Sequence, residues 1–376
     1  MQSRAELPIS TLPGARVPSG SESLLVVPHP LDFDWRFTRD TVGLIWQIVR
    51  DLANPQSDVA LLGTPSLAAT VERRNGLGSI TLLERNPSHH RSLSDGITFA
   101  RCDVLRDSIP RASNGVVVAD PPWYEAETVG FLWTASTLSR TGAHVLLSLP
   151  PVETRPGIKE ERERITAAAA GFGLEFHRLS EGVLRYGTPF FETNAMQAAG
   201  APVTNDWRLG DLAVFRRTAG ECGPRPTLDR EPVWTERSLG LTRFKMQETA
   251  STGFASPVLR SIIPGDVLPS VSRRDPRRKD ANIWTSGNRI FGCDGTATLT
   301  TIIDGMNAGE VPEITVGMQQ GRALTSSEAI LIAIAVQQVR NIVKWESAEF
   351  RNSDTVNRIS KLGPNRHRPV TLERTG

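Results

Sequence analysis

The sequence predicts an α/β protein whose first half builds a parallel sheet covered by helices, followed by a second, C-terminal α+β domain. Three observations predict it. Short apolar runs alternate with helix-like stretches from about Leu24 to Arg217, the pattern of repeated βαβ units. The runs are nearly continuous in apolar residues, as in strands buried on both faces. Four successive runs end on a turn or acidic residue, namely Gly63, Glu84, Asp103 and Asp120. In such sheets the carboxyl ends of the strands are where ligands bind.

Residues 58–62 (DVALL) read as the first strand, ending at Gly63, and residues 66–74 as a helix. Residues 80–83 (ITLL) form the second strand, 97–102 the third and 116–119 (VVVA) the fourth, ending at Glu84, Asp103 and Asp120. The fifth strand is 144–149, flanked by helical stretches. Residues 159–170 (KEERERITAAAA) are strong helix formers closed by Gly171. Residues 174–179 and 211–216 complete the set as two late strands.

A length of 376 residues suggests two domains. Residues 1–23 are polar and read as a flexible leader, and 24–218 as the α/β domain. Residues 219–232, rich in Pro and charge, read as a linker, 233–350 as the C-terminal domain and 351–376 as a basic, mobile tail. In the C-terminal domain Thr325-Ser326-Ser327-Glu328 is a capping box. The helix that follows, 329–343, is apolar around much of its surface, which places it inside the second domain or at a contact between subunits of an oligomer. The net charge of +2 excludes a global field that attracts nucleic acid. Cys102, Cys222 and Cys293 are far apart and make neither a disulfide framework nor a CxxC metal site, so a reducing, cytoplasmic compartment is expected. No run reaches the roughly 18 apolar residues of a membrane helix.

The segment Asp120-Pro121-Pro122-Trp123 carries the most chemistry. The lone pair of an exocyclic amine on a nucleobase is delocalised into the ring. Two acceptors aimed at the amine hydrogens localise it on nitrogen, and a carboxylate and a backbone carbonyl serve as that pair. Prolines stiffen the turn and hold the carbonyl in place. An aromatic side chain stacks on the base, worth about 1–3 kcal/mol. The rival reading is a strand-ending turn, for which Pro-Pro is a common marker.

The segment resembles the catalytic motif of the class I, Rossmann-like, S-adenosylmethionine-dependent amino-methyltransferases. These carry Asp/Asn/Ser-Pro-Pro-aromatic and act on adenine N6 or cytosine N4. The resemblance covers about residues 30–217 and implies S-adenosyl-L-methionine as cofactor. It implies that Asp120 and the Pro121 carbonyl take the amine hydrogens, that Trp123 stacks on the target and that Tyr124 adds a second ring. The first motif, Leu62-Gly63-Thr64-Pro65-Ser66, has one glycine where the family has a Gly-rich turn, and Asp58 stands at the start of its strand. Gly63 still permits close approach of backbone to ligand, and Thr64 lies beside it. Glu84 falls about 20 residues past that turn, the position that binds ribose hydroxyls in Rossmann-like sites. Asp103 resembles the acid that accepts from the cofactor's adenine, with Cys102 against the ring and Asp107 as a competitor for the role. Residues 30–38, with Phe33, Trp35, Phe37 and Thr38, resemble the element that closes over the cofactor's methionine part, where Arg36 or Thr38 meets the carboxylate. The rival there is ordinary aromatic packing. The aromatic loop 186–194 is a candidate for the acceptor pocket through Phe190 and Phe191, against a packed turn.

The basic run Arg273, Arg274, Arg277, Arg278 and Lys279, followed by Trp284, is a candidate nucleic-acid contact, against the commoner solvated loop. Three functions compete. The first is methyl transfer to an amino nitrogen, with a nucleobase amine of RNA or DNA leading. The second is methyl or aminopropyl transfer to a protein or small amine, since branched-polyamine synthases have a similar corner and a Gly-poor first motif. The third is an inactive methyltransferase-like binding subunit, against which the intact Asp-Pro-Pro-Trp corner stands.

Overall fold

The computed structural model describes residues 26–71, 76–109, 111–228, 232–248 and 253–360. Contacts divide the chain into two units, the first built of Phe33–Thr188 and Asp206–Glu231, the second of Val27–Asp32, Pro189–Asn205 and the chain from Pro232 onward.

In the first unit the elements follow the order β1 (Arg36–Phe37), α1 (Arg39–Leu52), β2 (Val59–Leu62), α2 (Pro65–Ala68), β3 (Ile80–Glu84), β4 (Ile97–Arg101), β5 (Asn114–Ala119), α3 (Glu125–Leu138), β6 (Ser139–Leu149), α4 (Ile158–Gly171), β7 (Leu174–Gly187) and β8 (Arg208–Arg217). The helix expected over 66–74 is one turn, α2; residues 72–75 lie outside the described residues. The eight strands form one sheet in the order β1-β7-β8-β6-β5-β2-β3-β4. Pairings among β2, β3, β4, β5 and β6 are parallel; β8 runs antiparallel to both β6 and β7.

The apolar runs are buried on both faces because side chains alternate along a strand. In β2, Ala60 and Leu62 face a core shared with Phe131, Leu132 and Ala135 of α3 and Ile165 and Ala169 of α4. Val59 and Leu61 face a second core with Ile45, Trp46 and Val49 of α1 and Leu67 of α2. This is the doubly wound, Rossmann-like sheet that the sequence predicts. The winding leaves β2 in one direction through β3 and β4 and in the other through β5 and β6, so the switch point lies between the carboxyl ends of β2 and β5.

The second unit is α+β. Its strands β9 (Trp234–Leu239), β10 (Thr242–Gln247), β11 (Arg260–Ser261), β12 (Ile283–Thr285) and β13 (Ile290–Gly292) pair antiparallel in the order β11-β13-β12-β10-β9. With them go α5 (Phe190–Ala198), α6 (Thr296–Ala308), α7 (Pro312–Gln320) and α8 (Ser326–Ser360). The expected capping box forms: Glu328 N–H donates to Thr325 Oγ1 at 3.3 Å and Thr325 N–H to Glu328 Oε2 at 2.8 Å. One face of α8 buries Ile332, Ala335, Val336, Val339 and Ile342, whereas Ile330 and Ile334 are 60% and 43% exposed. Among the described residues no helix is long and apolar enough to cross a membrane.

Arg243 of β10, 2% exposed, ties the early segment 27–32 to this unit. Its guanidinium donates to Asp32 at 2.5 Å, to Glu236 at 2.8 Å and to the Val27 carbonyl at 2.8 Å. Truncating one partner of a buried, hydrogen-bonded charge set leaves the others unpaired. Arg243→Ala is expected to destabilise the protein by about 3–5 kcal/mol, read as a lower urea midpoint.

Candidate active site

The carboxyl ends of β2, β3 and β5 form one row, because Leu62 is in register with both Leu83 and Ala119. The next residues, Gly63, Glu84 and Asp120, are therefore neighbours. Asp120 N–H donates to the Leu62 carbonyl at 3.2 Å, and Gly63 N–H to the Leu83 carbonyl at 3.2 Å. Gly63 has φ +62°, and a Cβ there would lie 3.3 Å from the Phe131 ring and 3.4 Å from the Asp120 carbonyl oxygen. Only glycine fits both the left-handed backbone and the close approach. Thr64 follows as the N-cap of α2, and its buried Oγ1 meets no hydrogen-bond partner among the described residues. Such an orphaned hydroxyl at the switch point suits a polar group of a ligand.

Asp120 is held from two sides. The hydroxyls of Ser148, on β6, and Tyr186, on β7, both donate to its Oδ1, the latter at 2.7 Å. Trp123 Nε1–H donates to Ser148 Oγ at 3.4 Å, and the Trp123 and Tyr186 rings meet edge to face at 5.4 Å. Among the described residues no hydrogen bond reaches Oδ2. Burial pushes the Asp120 carboxyl up to about 7; the two hydroxyls and the nearby Arg208 oppose this by favouring the anion. Burial and the neighbouring Asp120 charge raise the Tyr186 phenol well above its ordinary value, so it remains a donor.

The floor of the corner is Gly210 of β8. A Cβ there would lie 2.9 Å from Trp123 Cζ2 and 3.1 Å from Tyr186 Cε2. Beyond Trp123, Arg155 donates to its carbonyl at 3.0 Å. Tyr124 packs edge-on against Phe33 at 6.1 Å. Phe33 itself has φ +56°, a strained conformation for a bulky residue and one that gathers at functional sites. Phe37 lies against Tyr186 at 4.8 Å, and Trp35 lies under the Arg208 guanidinium at 3.5 Å. The segment from Phe33 to Phe37 is thus folded against the motif.

Other residues singled out from the sequence fall elsewhere. Glu84 ends β3 in the row, with Oε1 accepting from Asn86 N–H at 3.0 Å. Asp103 follows β4, but its carboxylate accepts from Leu105 N–H at 3.0 Å and pairs with Arg106 at 3.2 Å, so it organises its own turn. Cys102 is buried in the core beneath α3, not exposed to a ring-shaped ligand. Thr38 is the N-cap of α1, its Oγ1 accepting from Thr41 N–H at 3.4 Å. Arg36 pairs with Asp34 at 2.7 Å. Phe190 and Phe191 are not loop residues lining an acceptor pocket: they open α5, belong to the second unit and are 4% and 1% exposed there. Trp284 corrects another expectation. It is 1% exposed in β12, with Nε1–H donating to Asn288 at 3.1 Å, and cannot stack on a base. Of the basic run, Arg277 pairs with Asp275 at 2.6 Å and Arg278 lies over the Trp284 ring at 4.4 Å, while Arg274 and Lys279 are exposed and Arg273 is half-buried.

No family model and no curated relative matches the chain. Among solved structures, a branched-chain polyamine synthase from Thermus thermophilus, in complex with N4-aminopropylspermidine and 5'-methylthioadenosine, is 18% identical with a TM-score of 0.43. That match covers 54% of this chain and 64% of the synthase, so the chain spans under two thirds of its length. A candidate RNA methyltransferase from Pyrococcus horikoshii is 12% identical with a TM-score of 0.39, over 51% of this chain and 90% of that one. The strand order and register, not these likenesses, define the fold.

Sequence reasoning missed Ser148, Arg208 and Gly210 as members of the corner. Only Gly210 carried a signal, since a glycine inside a strand marks close approach. Gly210→Ala is expected to cost about 1–3 kcal/mol through overpacking and to shift the tryptophan emission as Trp123 is displaced. The raised Asp120 carboxyl also has a stability consequence. The folded protein holds this proton to about pH 7, whereas the unfolded chain releases it near pH 4. Stability therefore falls as pH rises through that window. Asp120→Asn is expected to be more stable than wild type above pH 7, by about 1–3 kcal/mol, and to lose the advantage below about pH 4; unfolding series at several pH values read this.

Proposed function

We propose that the first unit is an S-adenosylmethionine-dependent methyltransferase whose acceptor is an amino nitrogen, foremost the exocyclic amine of a nucleobase. The observation that carries it is Asp120: a recessed carboxylate at the switch point of a doubly wound sheet, fixed through Oδ1 and, among the described residues, without a hydrogen-bond partner on Oδ2, beside the Trp123 ring.

The residues present fit the cofactor. Gly63 lets backbone approach it, the Thr64 hydroxyl supplies an unsatisfied donor and acceptor, and Glu84 offers a carboxylate to ribose hydroxyls. When bound, S-adenosylmethionine supplies an electrophilic methyl group on a sulfonium. Everything else falls to the chain. Trp123 stacks the acceptor ring, and Arg155 holds the Trp123 backbone. Asp120 Oδ2 and the Pro121 carbonyl accept the two amine hydrogens and localise the nitrogen lone pair. On accepting the methyl group that the cofactor would supply, leaving it as the neutral thioether, the nitrogen would shed one proton, and Asp120 is placed to take it. Ser148 and Tyr186 keep the carboxylate oriented and ionised for that step. General-base assistance of this kind is worth about 10²–10⁴ in rate.

Asp120→Ala is expected to lower transfer at least ~100-fold while sparing affinity for S-adenosylhomocysteine, measured by calorimetry. Equal loss of both would move Asp120 out of the acceptor site, and failure of either cofactor form to bind at high micromolar concentration would end the methyltransferase reading. The rate should rise with pH through about 7, where Asp120 ionises. Tyr186→Phe removes a hydrogen bond to the anion and should move that rise to higher pH, with the fold intact.

A further inference from the structure

Resting on this reading of the corner, we infer that the buried ion pair of Asp211 and Arg162 is its positioning device: it closes a bulge in β7, ties β6 and β8 to that bulge, and so sets the Ser148 and Tyr186 hydroxyls on Asp120. The bulge is visible in the register of β7 against β8. Ser180 opposes Leu212 and Leu184 opposes Gly210, so Glu181, Gly182 and Val183 face the single residue Asp211. Extra residues on one strand shift everything that follows. Were the register of Ser180 continued, Tyr186 would oppose Asp206 in place of Arg208. It would then stand two residues, roughly 7 Å, farther along the sheet. Its hydroxyl, 2.7 Å from Asp120 Oδ1, would miss the carboxylate.

A bulge takes amides out of the ladder, and other acceptors must hold them. Asp211 does so here. It is 3% exposed, and its Oδ1 accepts from Gly182 N–H at 2.7 Å. Gly182 has φ +62°, a left-handed backbone that suits glycine. An ion buried this deeply is costly unless paired. Arg162, from α4, supplies the partner: its Nη2 donates both to Asp211 Oδ2 and to the Pro150 carbonyl. Pro150 follows the last residue of β6, Leu149, which itself opposes Asp211. One guanidinium and one carboxylate therefore join three strands at the same level: β6, which carries Ser148; β7, which carries Tyr186; and β8, whose Gly210 makes room for both Trp123 and Tyr186.

The test reads the ionisation of Asp120 in the full chain, without cofactor or acceptor, by carbon-13 carboxyl NMR, the signal being assigned by its loss in Asp120→Asn. The Ser148 and Tyr186 hydroxyls and Arg208 favour the anion, whereas burial and Asp34 oppose it, and the wild-type carboxyl titrates at about 7. Asp211→Ala is expected to raise this midpoint by about one pH unit, as the hydroxyls lose their aim. Gly182→Pro removes the amide donor and the left-handed backbone but keeps the ion pair, and should raise it likewise. Asp211→Asn combined with Arg162→Gln keeps an oxygen for the Gly182 amide and leaves no lone charge, so it should restore the wild-type midpoint. In a Tyr186→Phe background the shift from Gly182→Pro should shrink, because the donor it displaces is already gone. Arg243→Ala, destabilised in the second unit, should leave the midpoint where it is. A wild-type midpoint in both Asp211→Ala and Gly182→Pro, full additivity with Tyr186→Phe, or an equal shift in Arg243→Ala would overturn the inference. The methyltransferase reading fails separately: if the midpoint moves as expected and the pH profile of transfer does not follow it, Asp120 is not the proton acceptor, while the placement of its donors stands.

Discussion

The parallel pairing of β2 with β5 is the constraint on which the candidate site depends. It sets Gly63 beside Asp120, with the Asp120 amide donating to Leu62 and its carbonyl 3.4 Å from where a Gly63 Cβ would lie. Two chain segments that leave adjacent strands this closely must diverge at once. The left-handed backbone of Gly63 turns one toward α2, and the two prolines turn the other toward α3. The space that opens between them is the crevice at the switch point, where unsatisfied strand-end groups and helix N-termini face any bound ligand. The crevice thus follows from sheet topology, and the side chains decide its use.

Asp120 shows the cost of that use. A carboxylate in a recess resists ionisation, and a proton acceptor must be ionised. The fold resolves the conflict by supplying two hydroxyl donors and a nearby guanidinium, all of which favour the anion. Their sources are distinct: Ser148 from β6, Tyr186 from β7, Arg208 from β8. The antiparallel insertion of β8 between β6 and β7 brings all three to one end of the sheet, with Tyr186 and Arg208 directly opposed in register. The register of β7 against β8 shifts between Ser180 and Leu184, an irregularity of the kind that re-aims side chains next to active sites. Gly210, two residues beyond Arg208, leaves room for Trp123 and Tyr186. The corner is a product of several strands, so a change in any one of them is felt at the carboxylate.

The second unit has its own logic. Its sheet is antiparallel, and buried polar groups hold it: Arg243 with Asp32 and Glu236, and Arg289 with Glu346 and Glu349. Burial raises Glu346 to about 7 against the pull of Thr285, Ser286 and Arg289. Apart from the Arg243–Glu236 pair, which spans the β9–β10 hairpin, these are long-range pairs; all are ordinary surface-type residues, and nothing in their local pattern marked them as interior.

What the sequence determined by itself was local. Apolar runs placed the strands, since burial on both faces requires them. The residues that end those runs marked the edge where chemistry gathers, and Asp120-Pro121-Pro122-Trp123 stood out because stiff backbone, carboxylate and ring are consecutive. The tertiary structure decided which distant groups complete that corner. Ser148, Tyr186, Arg208 and Gly210 lie between 28 and 90 positions beyond Asp120, and only strand order puts them next to it. It also decided which aromatic residues are spent on packing: Phe190, Phe191 and Trp284 look available in sequence and are buried in the second unit. Periodicity records which side of an element is apolar. It does not record which element that side meets, and both the partners of Asp120 and the burial of those rings are facts of that second kind.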